Sequence, residues 1–197
     1  MKCTTCIHRK CYLEGQNCTK IQPQEVTEAY KGNQLAIMKA AACTEGRFYN
    51  NLTRLEETVE FCKLMGYQKL GMAFCIGLNQ EAKLIEEYLS KFFEVDSVCC
   101  KVCGVDKELL ELEQIKPDTR ETMCNPLMQA KVLKDANVEF CITVGLCVGH
   151  DALFTSGCEA PVSCLVAKDR VLAHNPLGAI YSRYWRRKLG INPPDQV

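Results

Sequence analysis

The stretch from Phe140 to Phe154, FCITVGLCVGHDALF, constrains the fold more than any other part of the chain. Phe140, Ile142 and Val144 stand among β-formers in a short apolar run that Gly145 closes. A strand buried on both faces of a parallel sheet reads this way. Cys147, His150 and Asp151 follow at once, where that strand ends. Open parallel sheets bind ligands outside the carboxyl ends of their strands. A thiol, an imidazole and a carboxylate at that place form the first candidate site.

Other segments repeat the strand reading. Lys69–Phe74 and Val95–Val98 are expected strands, as is Pro161–Ala167. Helical patterns separate them. One covers residues 25–42 and ends in an alanine-rich run. Thr53-Arg54-Leu55-Glu56 is a capping box, and the helix it opens places Leu55, Val59, Cys62 and Met65 on one stripe before Gly66 stops it. Asn79 is the expected cap of a helix over 80–93 with Leu84, Ile85, Tyr88, Leu89 and Phe92 on one face. A short charged helix is expected over 108–114 and a surface loop over 117–122.

Cys124-Asn125-Pro126 opens a further helix with an Asn cap and a proline at the first helical position. His174-Asn175-Pro176 repeats the device before a final helix to Leu189, whose basic residues interleave with Tyr181, Tyr184 and Trp185 and read as a solvated face. Alternating strands and helices imply an α/β three-layer sandwich with a mostly parallel sheet. A small cysteine-rich segment at residues 1–22 precedes the α/β domain of residues 23–197.

Composition enters through sulfur. The chain carries 15 cysteines in 197 residues, while its 24 basic and 24 acidic residues cancel. Charge balance gives no reason to expect nucleic acid or a membrane surface as partner. No apolar run is long enough to span a bilayer, and MKCTTCIHRKC lacks the apolar core of a secretory signal. The expected compartment is therefore the cytoplasm, where thiols stay reduced and metal ligation explains dense cysteine better than disulfides do.

The thiols fall into two groups. Cys3, Cys6, Cys11 and Cys18 crowd a segment too poor in apolar residues to fold by burial. Metal binding would supply the missing ordering energy. Cys75, the Cys99/Cys100/Cys103 cluster and Cys147 each end a different expected strand, and Cys124 precedes a helix that starts at the same sheet edge. The positive end of a helix lowers thiol pKa there. Thiolate ligation suits iron–sulfur or zinc, and the number of thiols favours one or two iron–sulfur clusters of the 4Fe-4S type, with zinc as the alternative. His150 and His174 are candidate proton donors. Asp151 either fixes an imidazole tautomer or caps the short helix that follows. Cys62, Cys158 and Cys164 read as packing or uninformative.

The stretches RLEETVEFCKLMGYQKLGMAFCIGL, CCKVCG, CNPLMQAKVL, VGLCVGHDALF and APVSCLVAKDRVLAHNPLGAIY resemble the family called domain of unknown function 1847. That resemblance covers nearly the whole chain. It implies a cysteine-rich, metal-binding protein of the kind found chiefly in anaerobic bacteria and archaea, and it implies no particular reaction. By resemblance Cys3, Cys6, Cys11, Cys100, Cys103, Cys124 and Cys147 are positions of the family pattern, whereas Cys62, Cys141, Cys158 and Cys164 are incidental.

The expected activity is redox: electron transfer to a partner protein, or reduction of a small substrate at the cysteine-lined cleft. Two rivals stand beside it, a zinc-stabilised binding or regulatory protein and an enzyme with Cys147 or Cys124 as nucleophile and His150 as base. No G-x-S-x-G elbow, P-loop or G-x-G-x-x-G occurs.

Overall fold

A computed structural model describes residues 1–117 and 119–191. Two compact units divide it, Met1–Tyr49 and Asn50–Val197. Asp118, inside the expected 117–122 loop, and residues 192–197, the end of the expected α/β domain, lie outside the described residues. The cysteine-rich segment 1–22 shares the first unit with helical chain up to Tyr49.

In that unit α1 is Lys10–Leu13, α2 is Pro23–Ala29 and α3 is Gly32–Phe48. The one helix expected over 25–42 is therefore two. A capping box between Gln22 and Glu25, with Pro23 in the first turn, starts α2. The chain then leaves helical geometry at Tyr30, and Gly32, at φ 54°, begins α3 from a backbone conformation that favours glycine.

The second unit is an α/β fold. Its elements are α4 (Arg54–Met65), β1 (Lys69–Phe74), α5 (Asn79–Leu89), β2 (Glu94–Cys99), α6 (Pro126–Asp135), β3 (Phe140–Val144), α7 (His150–Gly157), β4 (Val162–Val166), α8 (Gly178–Tyr181) and α9 (Arg183–Lys188). All pairings are parallel and the strand order is β2-β1-β3-β4. Side chains alternate across the sheet as strand geometry requires. Leu70, Met72 and Phe74 of β1 and Phe140, Ile142 and Val144 of β3 pack with Val59, Cys62, Leu78, Ala82 and Leu89 from the α4 and α5 side. Ala73 and Cys141 face the other way, onto Ala130 and Leu133 of α6 and Phe154 of α7. Three layers result.

The chain leaves β1 for β2 in one direction and returns past β1 to β3, so its winding reverses between β1 and β3. The crossover helices change face at that point, α5 on one side and α6 on the other, as right-handed connections demand. The carboxyl ends of β1 and β3 flank the crevice this creates. Close approach on the α6 side requires Gly71. A Cβ there would stand 3.0 Å from Cys141 Sγ and 3.1 Å from Leu133 Cδ1.

Between β2 and α6 the chain makes an excursion. An antiparallel bridge between Asp106 and Thr122 closes it, and Lys107 adds an ion pair to Glu121 at 2.8 Å. The charged helix expected over 108–114 is only a short turn at Lys107–Leu110. The final helix is likewise split, because Ser182 leaves helical geometry and caps α9 with its hydroxyl on the Trp185 N–H.

Candidate functional site

Strand ends and one helix start deliver the site. Cys75 directly follows β1, and its N–H donates to Val144 O of β3 at 3.0 Å. Cys100 directly follows β2, and its N–H donates to Phe74 O at 2.8 Å. The excursion then returns, and Asn125 N–H donates to Cys100 O at 2.8 Å. That bond sets Cys124 beside Cys100, with their sulfurs 3.8 Å apart. Cys147 comes from the turn after β3. The loop after β4 adds Lys168 and Arg170.

Each of these outer sulfurs meets a cation. Lys168 Nζ donates to Cys75 Sγ at 3.4 Å, Lys101 Nζ to Cys124 Sγ at 3.5 Å and Arg170 Nη2 to Cys147 Sγ at 2.9 Å. The sulfur between them, Cys100 Sγ, receives the Ile76 backbone N–H at 3.4 Å. Lys101 is itself held by Thr122 O at 2.6 Å.

The thiols titrate as a set. Its hydrogen bond with Cys100 holds the Cys75 thiol well below the ordinary range against the opposing effect of burial, and the Gly77 N–H and Lys168 help. Cys124 is lowered in the same way by Cys100, with Lys101 and the nearby His150 adding to it. Cys100 moves strongly upward because it keeps the proton shared with its two neighbours. Burial raises Cys147, and Arg170 only partly offsets it. Cys75 and Cys124 are therefore the thiolates and Cys100 the thiol. Of the two candidate nucleophiles, Cys124 is thus lowered and Cys147 raised.

Other expected site residues lie differently. Cys103, on the turn after Cys100, is exposed at φ 71°. Asp151 Oδ1 accepts from Gly149 N–H at 2.9 Å and Ala152 N–H at 2.8 Å, so its hydrogen bonds stabilise the start of α7 rather than an imidazole. His174 Nδ1 accepts from Asp169 N–H at 3.1 Å, which ties it to the turn after β4. His150, the first residue of α7, is half-buried near Cys124.

Cys3, Cys6, Cys11 and Cys18 are all exposed in the first unit. Cys6 lines a 440 Å³ cleft there with His8 and Arg9. Sequence reasoning missed Lys101, Lys168 and Arg170. The readable signal was Lys168-Asp169-Arg170 directly beyond a strand end.

Among the described residues no group of three or more His, Cys, Asp or Glu side chains is placed so that it could hold a metal ion as it stands. Ligation at the strand ends would thus need side-chain rotation. The donor chemistry nonetheless fits a thiophilic centre. Four thiol-bearing residues gather at one edge, two are depressed thiolates, and three cations point at their sulfurs. Sulfurs sharing a tetrahedral ion at about 2.3 Å stand roughly 3.8 Å apart, which is the Cys100–Cys124 separation. A 540 Å³ cleft lined by Ile76, Lys101, Lys116, Arg120, Glu121 and Thr122 adjoins the centre through Ile76 and Lys101.

The fold is that of a doubly wound α/β protein, and four cysteines gather at the carboxyl edge of its sheet. By sequence the chain belongs to the DUF1847 family of proteins of unknown function, whose model matches residues 14–165. It is 48% identical over 190 residues to an uncharacterised protein of the methanogenic archaeon Methanocaldococcus jannaschii, covering 96% of this chain and 98% of that one. No solved structure matches. No helix among the described residues is long and apolar enough to cross a membrane.

Proposed function

We propose that this is a cytoplasmic redox protein with an iron–sulfur centre at the carboxyl edge of its sheet, held by Cys75, Cys100, Cys124 and Cys147. The observation that carries this reading is the direction of the three cations. Lys168, Lys101 and Arg170 each donate to a sulfur of the group. Buried thiolates need such compensation, and charge and hydrogen bonding at the sulfurs are what tune a cluster's potential. When bound, the cluster would supply one-electron transfer.

The chain's own residues do the rest. Cys75 and Cys124 enter as thiolates, and Cys100 gives up its proton on ligation. The Ile76 N–H, which donates to the Cys100 sulfur, would be available to compensate its charge. His150, whose charge helps to lower the Cys124 thiol, would be the proton donor. The adjoining cleft has Lys116 in its wall beside Lys101 and Arg120, which already pair with Cys124 and Asp106, and it would admit a small substrate to be reduced. The same reading extends to Cys3, Cys6, Cys11 and Cys18 as ligands of a second centre.

One observation favours a zinc centre instead, in a binding or regulatory protein: the 3.8 Å separation of Cys100 and Cys124 is that of two sulfurs on one tetrahedral ion. Oxygen-free purification followed by iron, sulfide and zinc quantification with absorption and EPR spectra separates the two. Iron and sulfide in equal amounts, both reduced by one centre's share in Cys100→Ser, are the expected result. A colourless protein with stoichiometric zinc overturns the redox reading.

A further inference from the structure

On the opposite face of the sheet from Cys75 lies a second pair of sulfurs. Cys141 is the second residue of β3 and is fully buried against α6 and α7. Its sulfur occupies the space left by the missing side chain of Gly71, 3.0 Å from where a Cβ would be. Cys158 ends α7, is half-buried, and places its sulfur 3.4 Å from that of Cys141.

Access to the two differs sharply. Cys158 lines a 330 Å³ cleft with Lys134, Asn137, Val138, Glu159 and Ala160, and Lys134 and Glu159 form an ion pair there. Cys141 does not line that cleft. One reachable sulfur backed by one unreachable sulfur is the arrangement of an attacking thiol and its resolving partner. We propose that Cys141 and Cys158 form a reversible dithiol–disulfide couple that reduces low-molecular-weight disulfides entering the Lys134–Glu159 cleft. The couple is distinct from the metal centre and does not depend on it.

Electrostatics point the same way. The contact with Cys141 lowers the Cys158 thiol to about 7 against its burial, and the Ala160 N–H assists. The same contact, together with burial, raises Cys141. A thiol with pKa near ambient pH is the best attacker in exchange chemistry.

The step balances as follows. The Cys158 thiolate attacks one sulfur of a disulfide RSSR, the S–S bond breaks, and one RS⁻ leaves and takes a proton from solvent. Cys141 then attacks Cys158 Sγ of the mixed disulfide, forming the Cys141–Cys158 bond, and the second RS⁻ leaves with the Cys141 proton. Two cysteines are oxidised by two electrons, and one disulfide is reduced to two thiols. Bond formation asks the sulfurs to close by roughly 1.4 Å, from 3.4 Å to the usual length near 2.05 Å.

The experiment incubates the full-length protein, with its metal content as purified, with oxidised glutathione at pH 7.5. Acid quench, alkylation and peptide-resolved mass spectrometry follow. Wild type should give a Cys141–Cys158 linked peptide that dithiothreitol reverses. Cys141→Ser should instead hold glutathione on Cys158, with at least tenfold more adduct there than in wild type. Cys158→Ser, at a half-buried position, should leave Cys141 unmodified and the metal content unchanged. The wild-type linkage needs no variant to be read. An absent linked peptide with Cys158 unmodified, or Cys158 joined to any cysteine other than Cys141, overturns the proposal.

Discussion

Cys100 stands between Cys75 and Cys124, and its proton sets the charge of the strand-edge site. Both neighbours have lowered pKa values, so their stabilising effect is complete above the ordinary thiol pKa of about 8.5 and fades as pH falls below it. Cys100 has a raised pKa and behaves in the opposite sense, its contribution being full below about 8.5 and lost as pH rises above it. Cys62, pushed up to about 12 by burial alone, adds to that alkaline loss. In protein stripped of metal by a chelator, stability should therefore peak near pH 8.5. Urea midpoints measured from pH 6 to 10 in reducing buffer check this, and Cys100→Ser should weaken both limbs. Lys168→Ala should move the Cys75 alkylation profile to higher pH, read peptide by peptide with iodoacetamide, because Lys168 helps to hold that thiol down. The thiols themselves were legible, since cysteine at a strand end is visible in sequence. Their counter-charges were legible only as Lys168-Asp169-Arg170 beyond a strand end: nothing local tells that Lys168 and Arg170 reach back to residues that far away along the chain.

At the scale of elements, Gly145 is the hinge between β3 and the Cys147 turn. Its φ is 63°, and a Cβ would stand 2.6 Å from Leu78 Cδ1. Gly145→Ala should cost about 1–3 kcal/mol for the backbone conformation and a similar amount for crowding Leu78. Chemical denaturation reads that cost, and metal retention should fall with it because Cys147 is displaced. Gln129 is the second such point. It is fully buried on α6, and its Nε2 donates to Val98 O at 2.7 Å and Phe74 O at 3.2 Å. It thus fixes α6 against the ends of two strands, next to the residues that carry Cys75 and Cys100. Gln129→Leu should cost about 1–3 kcal/mol, measured by the same denaturation.

The strands were readable because β-branched and apolar runs bounded by turn residues have few alternatives; Lys69–Phe74 and Phe140–Val144 have the expected bounds. Helix ends were less readable. The helix expected over 80–93 stops at Leu89, and Leu84 and Phe92 are exposed instead of lying on the buried face. Phe92 is covered in part by Lys63, whose ammonium lies 4.5 Å from the ring centroid, a contact between α4 and the turn after α5 that no local pattern encodes. The splits have local causes: at Ser182 one capping hydroxyl outweighs weak helical propensity over several neighbours, and at Tyr30 the chain leaves helical geometry just before Gly32, which stands at positive φ.

For the molecule as a whole, the two proposed centres fall in two compact units and would make separable demands on metal. The second unit has its own apolar core, with residues such as Leu70, Met72, Ile142 and Phe154 fully buried, so its folding energy does not have to come from ligation. Cys3, Cys6, Cys11 and Cys18 of the first unit are exposed, and residues 1–22 contain no buried residue to order them. Ordering of that segment is therefore the step that metal binding would drive. Replacing Cys3, Cys6, Cys11 and Cys18 together by serine should lower the metal bound per chain by one centre while leaving the urea midpoint of the α/β unit within about 0.5 kcal/mol of wild type, the usual range for surface changes. Replacing Cys75, Cys100 and Cys124 should do the reverse, sparing the metal of the first unit and shifting the midpoint of the second. Elemental analysis and denaturation of both variants, prepared without oxygen, provide the measurement. Loss of all metal in either variant would mean that the two sets of sulfurs serve a single centre, and the division into two would then fall.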